Sequence, residues 1–131
     1  SRIAQRAREA GVILGGSSHE FGEMNDMQQA ARWLLEQEAL GADVCKAAVM
    51  TRTNVQAMEA ALTFAKAKEA LQIPMIGIAM GPAGVMTRIG GACMGSCLTF
   101  GTAGEASAPG QLDARTLRTA LEIVHGALTA P

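Results

Sequence analysis

No apolar run in these 131 residues approaches the roughly 20 consecutive residues that a helical bilayer span requires, because Gly, Asp, Lys or Arg interrupts every one. A membrane segment is therefore not expected. Positive charge is not in excess either: 11 Lys and Arg against 12 Asp and Glu leave a formal net charge of -1. The cations are scattered, so no basic stripe exists to follow a phosphate backbone, and nucleic-acid binding is disfavoured. The chain opens with Arg2, Arg6, Arg8 and Glu9 in an amphipathic stretch, which is not the pattern of a secretory signal. The expected compartment is cytoplasmic. Cysteine is scarce and odd in number, three in all. Cys45, Cys93 and Cys97 are expected as small buried residues of a reducing cell. The Cys93 and Cys97 pair lacks the second Cys or His pair that a zinc site needs.

What is present is a repeated pattern of short apolar strand, polar Gly-containing loop and amphipathic helix, the signature of a parallel α/β sheet or barrel. Strands are expected at Gly11 to Gly16, Asp43 to Met50, Met75 to Met80 and Ser96 to Gly101. Their near-continuous apolar character implies cover on both faces. Asn25 or Asp26 can cap a helix running to Leu40, with Met27, Ala30, Ala31 and Leu34 on its buried face and Gly41 beyond its end. Thr53 with Gln56 makes a capping box for a second helix, whose expected buried stripe is Met58, Ala61, Leu62 and Ala65. Asp113 opens the last helix, where Leu117, Ala120, Leu121, Val124 and Leu128 recur at helical spacing. Gly84 to Gly91 leaves room only for a short helix, and Ser1 to Ala10 reads as the tail of a further helix that precedes the first strand.

The length suits a single domain. A (β/α)₈ barrel takes about 250 residues, so four βα units in residues 1–131 correspond to half of one. Half a barrel would expose two strand edges and one sheet face.

One charge sits in the apolar run Val44 to Met50. Lys46 there is a snorkelling edge residue, half of a buried ion pair, or a desolvated amine. Burial disfavours the ammonium, and a neutral amine attacks carbonyls to form a Schiff base. His19, in Ser17-Ser18-His19-Glu20-Phe21 after the first expected strand, lies where the active-site loops of a barrel begin and is a candidate general acid or base. His125, deep in the last helix, reads as a cation near a helix C-terminus. Arg88 follows the third strand and by itself would more often be a solvated surface residue. Ser107-Ala108-Pro109-Gly110-Gln111 follows the fourth, with a Pro-Gly turn between a hydroxyl and an amide. The Met residues read as core filler.

Taken in order, one motif at the end of each strand, these segments resemble the C-terminal half of type I 3-dehydroquinate dehydratase across nearly the whole chain. Ser18-His19-Glu20-Phe21 is similar to the family's catalytic-histidine loop, and Ala42 through Lys46 to Met50 to its Schiff-base strand. Met80-Gly81 through Arg88 to Gly91 is similar to the segment carrying the carboxylate-binding arginine. Leu98 to Gly101 through Ser107 to Gln111 is similar to the last strand and the substrate-closing loop. Ser18 stands where the family often has Tyr, and Glu105 where it frequently has Lys.

The resemblance implies a (β/α)₈ TIM-barrel fold of which this chain covers about four βα units. It also implies dehydration of 3-dehydroquinate to 3-dehydroshikimate in the shikimate pathway. Lys46 would form the imine, His19 would move protons, and Arg88, Ser107 and Gln111 would hold the substrate carboxylate. No metal or organic cofactor is called for. Substrate-binding residues on the family's first four strands have no counterpart here. The isolated chain is therefore expected to have little dehydratase activity and to form a homodimer or pair with the other half-barrel. A non-catalytic half-barrel module and another Schiff-base lyase such as an aldolase are the alternatives.

Overall fold

A computed structural model describes all of residues 1–131. Ser1 accepts from the Ala4 amide through its hydroxyl and starts α1 (Arg2–Glu9), as a Ser N-cap does. There follow β1 (Ser18–Glu20), α2 (Gln28–Ala39), β2 (Cys45–Met50), α3 (Asn54–Ala70) and β3 (Met75–Met80). Beyond β3 a short helix α4 (Val85–Ile89) is flanked by 3₁₀ turns at Pro82–Gly84 and Gly91–Met94. The chain ends with β4 (Gly101–Thr102), β5 (Leu112–Asp113) and α5 (Ala114–Thr129). No helix is long and apolar enough to cross a membrane.

Strands β1, β2 and β3 form one parallel sheet in sequence order. Their register puts His19 beside Ala48 and Ala48 beside Ile78, with Lys46 beside Ile76 one row below. Alternate strand residues share a face. One face therefore carries His19, Lys46, Ala48, Ile76, Ile78 and Met80. The other carries Cys45, Ala47, Val49, Met75 and Ala79, which pack with Ala30 and Leu34 of α2 and Ala60, Phe64 and Ala67 of α3 in the main core.

The caps act as their sequences suggest. Thr53 accepts from the Gln56 amide and Asp113 from the Thr116 amide, while the Gln56 side chain reaches back to the Arg52 amide. Asp26 accepts from the Gln28 amide, and α2 starts at Gln28, one residue later than an Asp26 cap would place it.

Four expectations need correction. In α3 the buried residues are Ala57, Ala60, Thr63, Phe64 and Ala67, whereas Met58 and Leu62 are exposed. This helix is apolar around much of its girth, so periodicity does not choose a face. The choice is made by Phe64, which fills the space left by Gly77: a Cβ on Gly77 would lie 2.6 Å from Phe64 Cγ. Gly77→Ala is expected to destabilise the fold by about 1–3 kcal/mol through overpacking, read as a lower urea midpoint with unchanged slope.

The first strand is shifted. Gly15 makes a single bridge to Val44, pairing becomes continuous only at Ser18, and Val12 and Ile13 are exposed. The fourth strand is reduced to a bridge between Ser96 and Met75, after which Gly101–Thr102 turns to pair with Leu112–Asp113. With no neighbour on its far side, Ser96 to Gly101 lacks the second ladder that would hold it extended. Finally, Cys45 is buried, and burial pushes its thiol up to about 11, but Cys93 and Cys97 lie exposed around the second 3₁₀ turn.

Candidate active site

The sheet register brings His19, in the middle of β1, and Lys46, the second residue of β2, onto one face of adjacent strands, with Lys46 Nζ 2.9 Å from His19 Nε2. Two groups that both become cationic on protonation cannot comfortably share a site. Burial first, and then the Lys46 charge, hold the His19 imidazole below its ordinary value. Burial first, and then the Arg88 charge, lower the Lys46 amine. Lys46 is half-buried and His19 is exposed, so the amine is reachable and not sealed in the core. The ring of Phe100 lies 4.8 Å from Nζ, close enough to favour the ammonium through its π face. Phe21 stacks nearly parallel on His19 with centroids 5.9 Å apart.

Arg88 is not the solvated surface residue that its position alone suggests; it is 1% exposed. Short α4 turns it inward, where its Nη2 donates to the Pro109 carbonyl at 2.9 Å and its Nε has no partner. None of the ion pairs in the protein involves it. A buried guanidinium with a spare donor and no carboxylate is poised for an anion.

The loop Ser107 to Gln111 closes over the same space. Gly110 adopts φ +79°, and a Cβ there would lie 2.7 Å from the Gly81 carbonyl oxygen, so only glycine lets this turn sit on the end of β3. The Gly81 amide donates to Pro109 at 3.2 Å. Within the loop, the Gln111 side-chain amide donates to the Ser107 hydroxyl at 2.9 Å and its oxygen accepts from the Ser107 amide at 2.8 Å. Ser107 and Gln111 thus hold each other across the turn.

His19, Lys46, Arg88, Ser107 and Gln111 line one cavity of about 240 Å³, with Ala48, Ile78, Met80, Phe100, Phe21 and Ala108. The fold therefore brings these five candidate residues to one cavity. His125 is elsewhere and exposed. Phe21, Met80 and Phe100 were not singled out as lining residues, though each lies within or beside a motif that was. No three His, Cys, Asp or Glu side chains are grouped as a metal would need.

A family model for type I 3-dehydroquinase matches residues 1–127. The chain belongs to that family. It is 39% identical over 128 residues to the 3-dehydroquinate dehydratase of Shouchella clausii, an alignment covering 98% of this chain and 50% of the relative. Among solved structures, the 3-dehydroquinate dehydratase of Geobacillus kaustophilus superposes with a TM-score of 0.88 at 32% identity. That match covers 100% of this chain and 51% of the other. The type I 3-dehydroquinate dehydratase of Clostridium difficile, solved with covalently modified comenic acid, superposes with a TM-score of 0.87 at 28% identity, over 95% and 49% of the two chains. The chain spans about half the length of the curated relatives it matches.

Within this cavity, the Lys46 charge state is tied to Arg88. Removing the guanidinium in Arg88→Met takes away one of the two causes that lower the amine. The ammonium then persists to higher pH. The expected result is an upward shift in the pH midpoint of Lys46 reductive methylation, measured by peptide mass mapping, and no shift would show that the two groups are electrostatically independent.

Proposed function

We propose that this chain supplies the Lys–His half of a 3-dehydroquinate dehydratase site, as the C-terminal four βα units of a (β/α)₈ barrel. The observation that carries the reading is the 2.9 Å contact between Lys46 Nζ and His19 Nε2, in a cavity that also holds a buried Arg88 that no carboxylate of the protein pairs.

In this reading the neutral Lys46 amine attacks the C3 carbonyl carbon, and loss of water leaves a protonated imine. His19 removes the C2 proton. The electron pair of that C–H bond enters the imine and forms an enamine. The enamine pair then returns toward C1–C2, the C1–O bond breaks, and His19 gives its proton to the departing hydroxyl, which leaves as water. Hydrolysis of the resulting conjugated imine restores the Lys46 amine and releases 3-dehydroshikimate. Nucleophilic activation of the lysine comes from desolvation and from Arg88. The substrate carboxylate pairs with Arg88 and takes over the hydrogen bonds that Ser107 and Gln111 now make to each other. The uncovered β1 edge suits a second half-barrel, from another segment or another copy.

Borohydride reduction in the presence of 3-dehydroquinate tests this directly. A mass increment that maps to Lys46 supports the reading. An adduct that forms only with an aldol substrate, or maps to another lysine, would sink it.

A further inference from the structure

Gln37 is a buried polar residue on the apolar face of α2, at helical spacing from Ala30 and Leu34. Its side-chain oxygen accepts from the Lys46 peptide N–H at 2.8 Å, and its side-chain nitrogen donates to the Lys46 carbonyl at 3.0 Å. The same nitrogen donates to the Ser18 hydroxyl at 3.0 Å. Both backbone groups of the reactive lysine are therefore satisfied by one side chain from a helix.

The reason lies in the break between β1 and β2. The Cys45 amide donates toward β3, to Pro74, so the Lys46 peptide groups point the other way, toward β1. On that side Gly16 bonds to Val44 and the regular ladder resumes only at Ser18. No bridge joins Lys46 itself to β1, and its peptide N–H is taken by Gln37 instead. Gly16 is what lets the side chain in: a Cβ there would lie 2.8 Å from Cβ, Cγ and Oε1 of Gln37. Without a partner, the two buried Lys46 backbone groups would carry a desolvation penalty.

We infer that Gln37 is a positioning residue, an amide rung that replaces backbone pairing and fixes Lys46 on β2 relative to Ser18 and His19 on β1. Its consequence for catalysis rests on the imine chemistry proposed above; its structural role does not. His19 is held in the ladder opposite Ala48, whereas Lys46, two residues back on β2, has no bridge to β1, so the amide ties Lys46 to the β1 side next to His19. A misplacement of about 1 Å can cost on the order of 10²-fold in rate.

Three measurements on the full chain test the inference. In the unaltered protein the Lys46 amide should be as protected from hydrogen exchange as its strand neighbours Ala47 and Ala48; exchange as fast as that of Ser17 would overturn the proposal, whatever any variant does. Gln37→Met keeps length and apolar bulk but removes all three bonds. In that variant the His19 ring titration, followed by nitrogen NMR, should move toward the ordinary imidazole midpoint. Trapping at saturating 3-dehydroquinate should slow by roughly tenfold or more, with the half-saturating concentration unchanged. Gly16→Ala, which obstructs the amide while leaving Gln37 in place, should reproduce both effects. A folded Gln37→Met protein with an unchanged His19 midpoint and trapping rate would overturn the positioning role. Absence of trapping in every protein would count against the dehydratase reading, and the exchange and titration results would still decide the role of Gln37.

Discussion

Lys46→Met is expected to reduce borohydride-trapped adduct to background, because the covalent nucleophile itself is removed. Methionine matches the length and much of the volume of lysine, and the Lys46 side chain contacts the cavity and not the main core, so folding should be retained. The same substitution removes the positive charge that faces His19 at 2.9 Å. The His19 imidazole, held low by burial and by Lys46, should then titrate closer to its ordinary value. The variant therefore has two independent readouts: mass at one lysine, and the titration of a histidine on the neighbouring strand. If adduct forms as readily in Lys46→Met as in the unaltered chain, the amine responsible is another one and the proposed chemistry is wrong.

The second large effect is expected from His19→Gln. Glutamine can still accept and donate hydrogen bonds but cannot take a proton near neutral pH, so imine formation should survive while C2 proton removal slows by about 10²- to 10⁴-fold. Deuterium exchange at C2 in heavy water separates the two steps, because trapping reports the imine and exchange reports the base. The pH dependence has a definite sign. His19 acts as a base only when neutral, and its folded-state value is lowered, so the acid limb of exchange should fall below the ordinary imidazole midpoint. In His19→Gln that limb should vanish. The same lowered values of His19 and Lys46 bear on stability. Between its lowered folded value and its ordinary value each group is protonated more in the unfolded chain than in the folded one, so the penalty they impose on folding at lower pH is relieved as pH rises through that window. Exchange in His19→Gln as fast as in the unaltered chain would show that another group moves the proton.

Much of this site was legible before any coordinates. Lys46 is conspicuous as the single charge in an apolar strand. His19, Arg88 and the Ser107 to Gln111 turn each follow a strand in turn, so a parallel fold must gather them at one end of its sheet. Gln37 was visible in principle, as a polar residue on a buried helical stripe, but nothing in its local pattern says which backbone it serves. The burial of Arg88 was likewise hidden. A short helix after a strand can turn a side chain either way, and only contact with Pro109, 21 positions later, shows that it points inward.

The sequence by itself determined the parallel α/β order, strands β2 and β3, the caps at Thr53 and Asp113, and the chemical groups carried by each βα unit. These depend on residues a few positions apart, whose hydrogen bonds and periodicity are local. Tertiary structure decided which face of α3 is buried, where β1 and the fourth strand actually pair, the inward turn of Arg88, and the 2.9 Å approach of Lys46 to His19 across 27 positions of sequence. Each of these turns on whether a distant partner fills a space or satisfies a polar group: Phe64 over Gly77, Gln37 across Gly16, Pro109 on Arg88. Packing between remote segments settles such choices, and local propensity does not encode them.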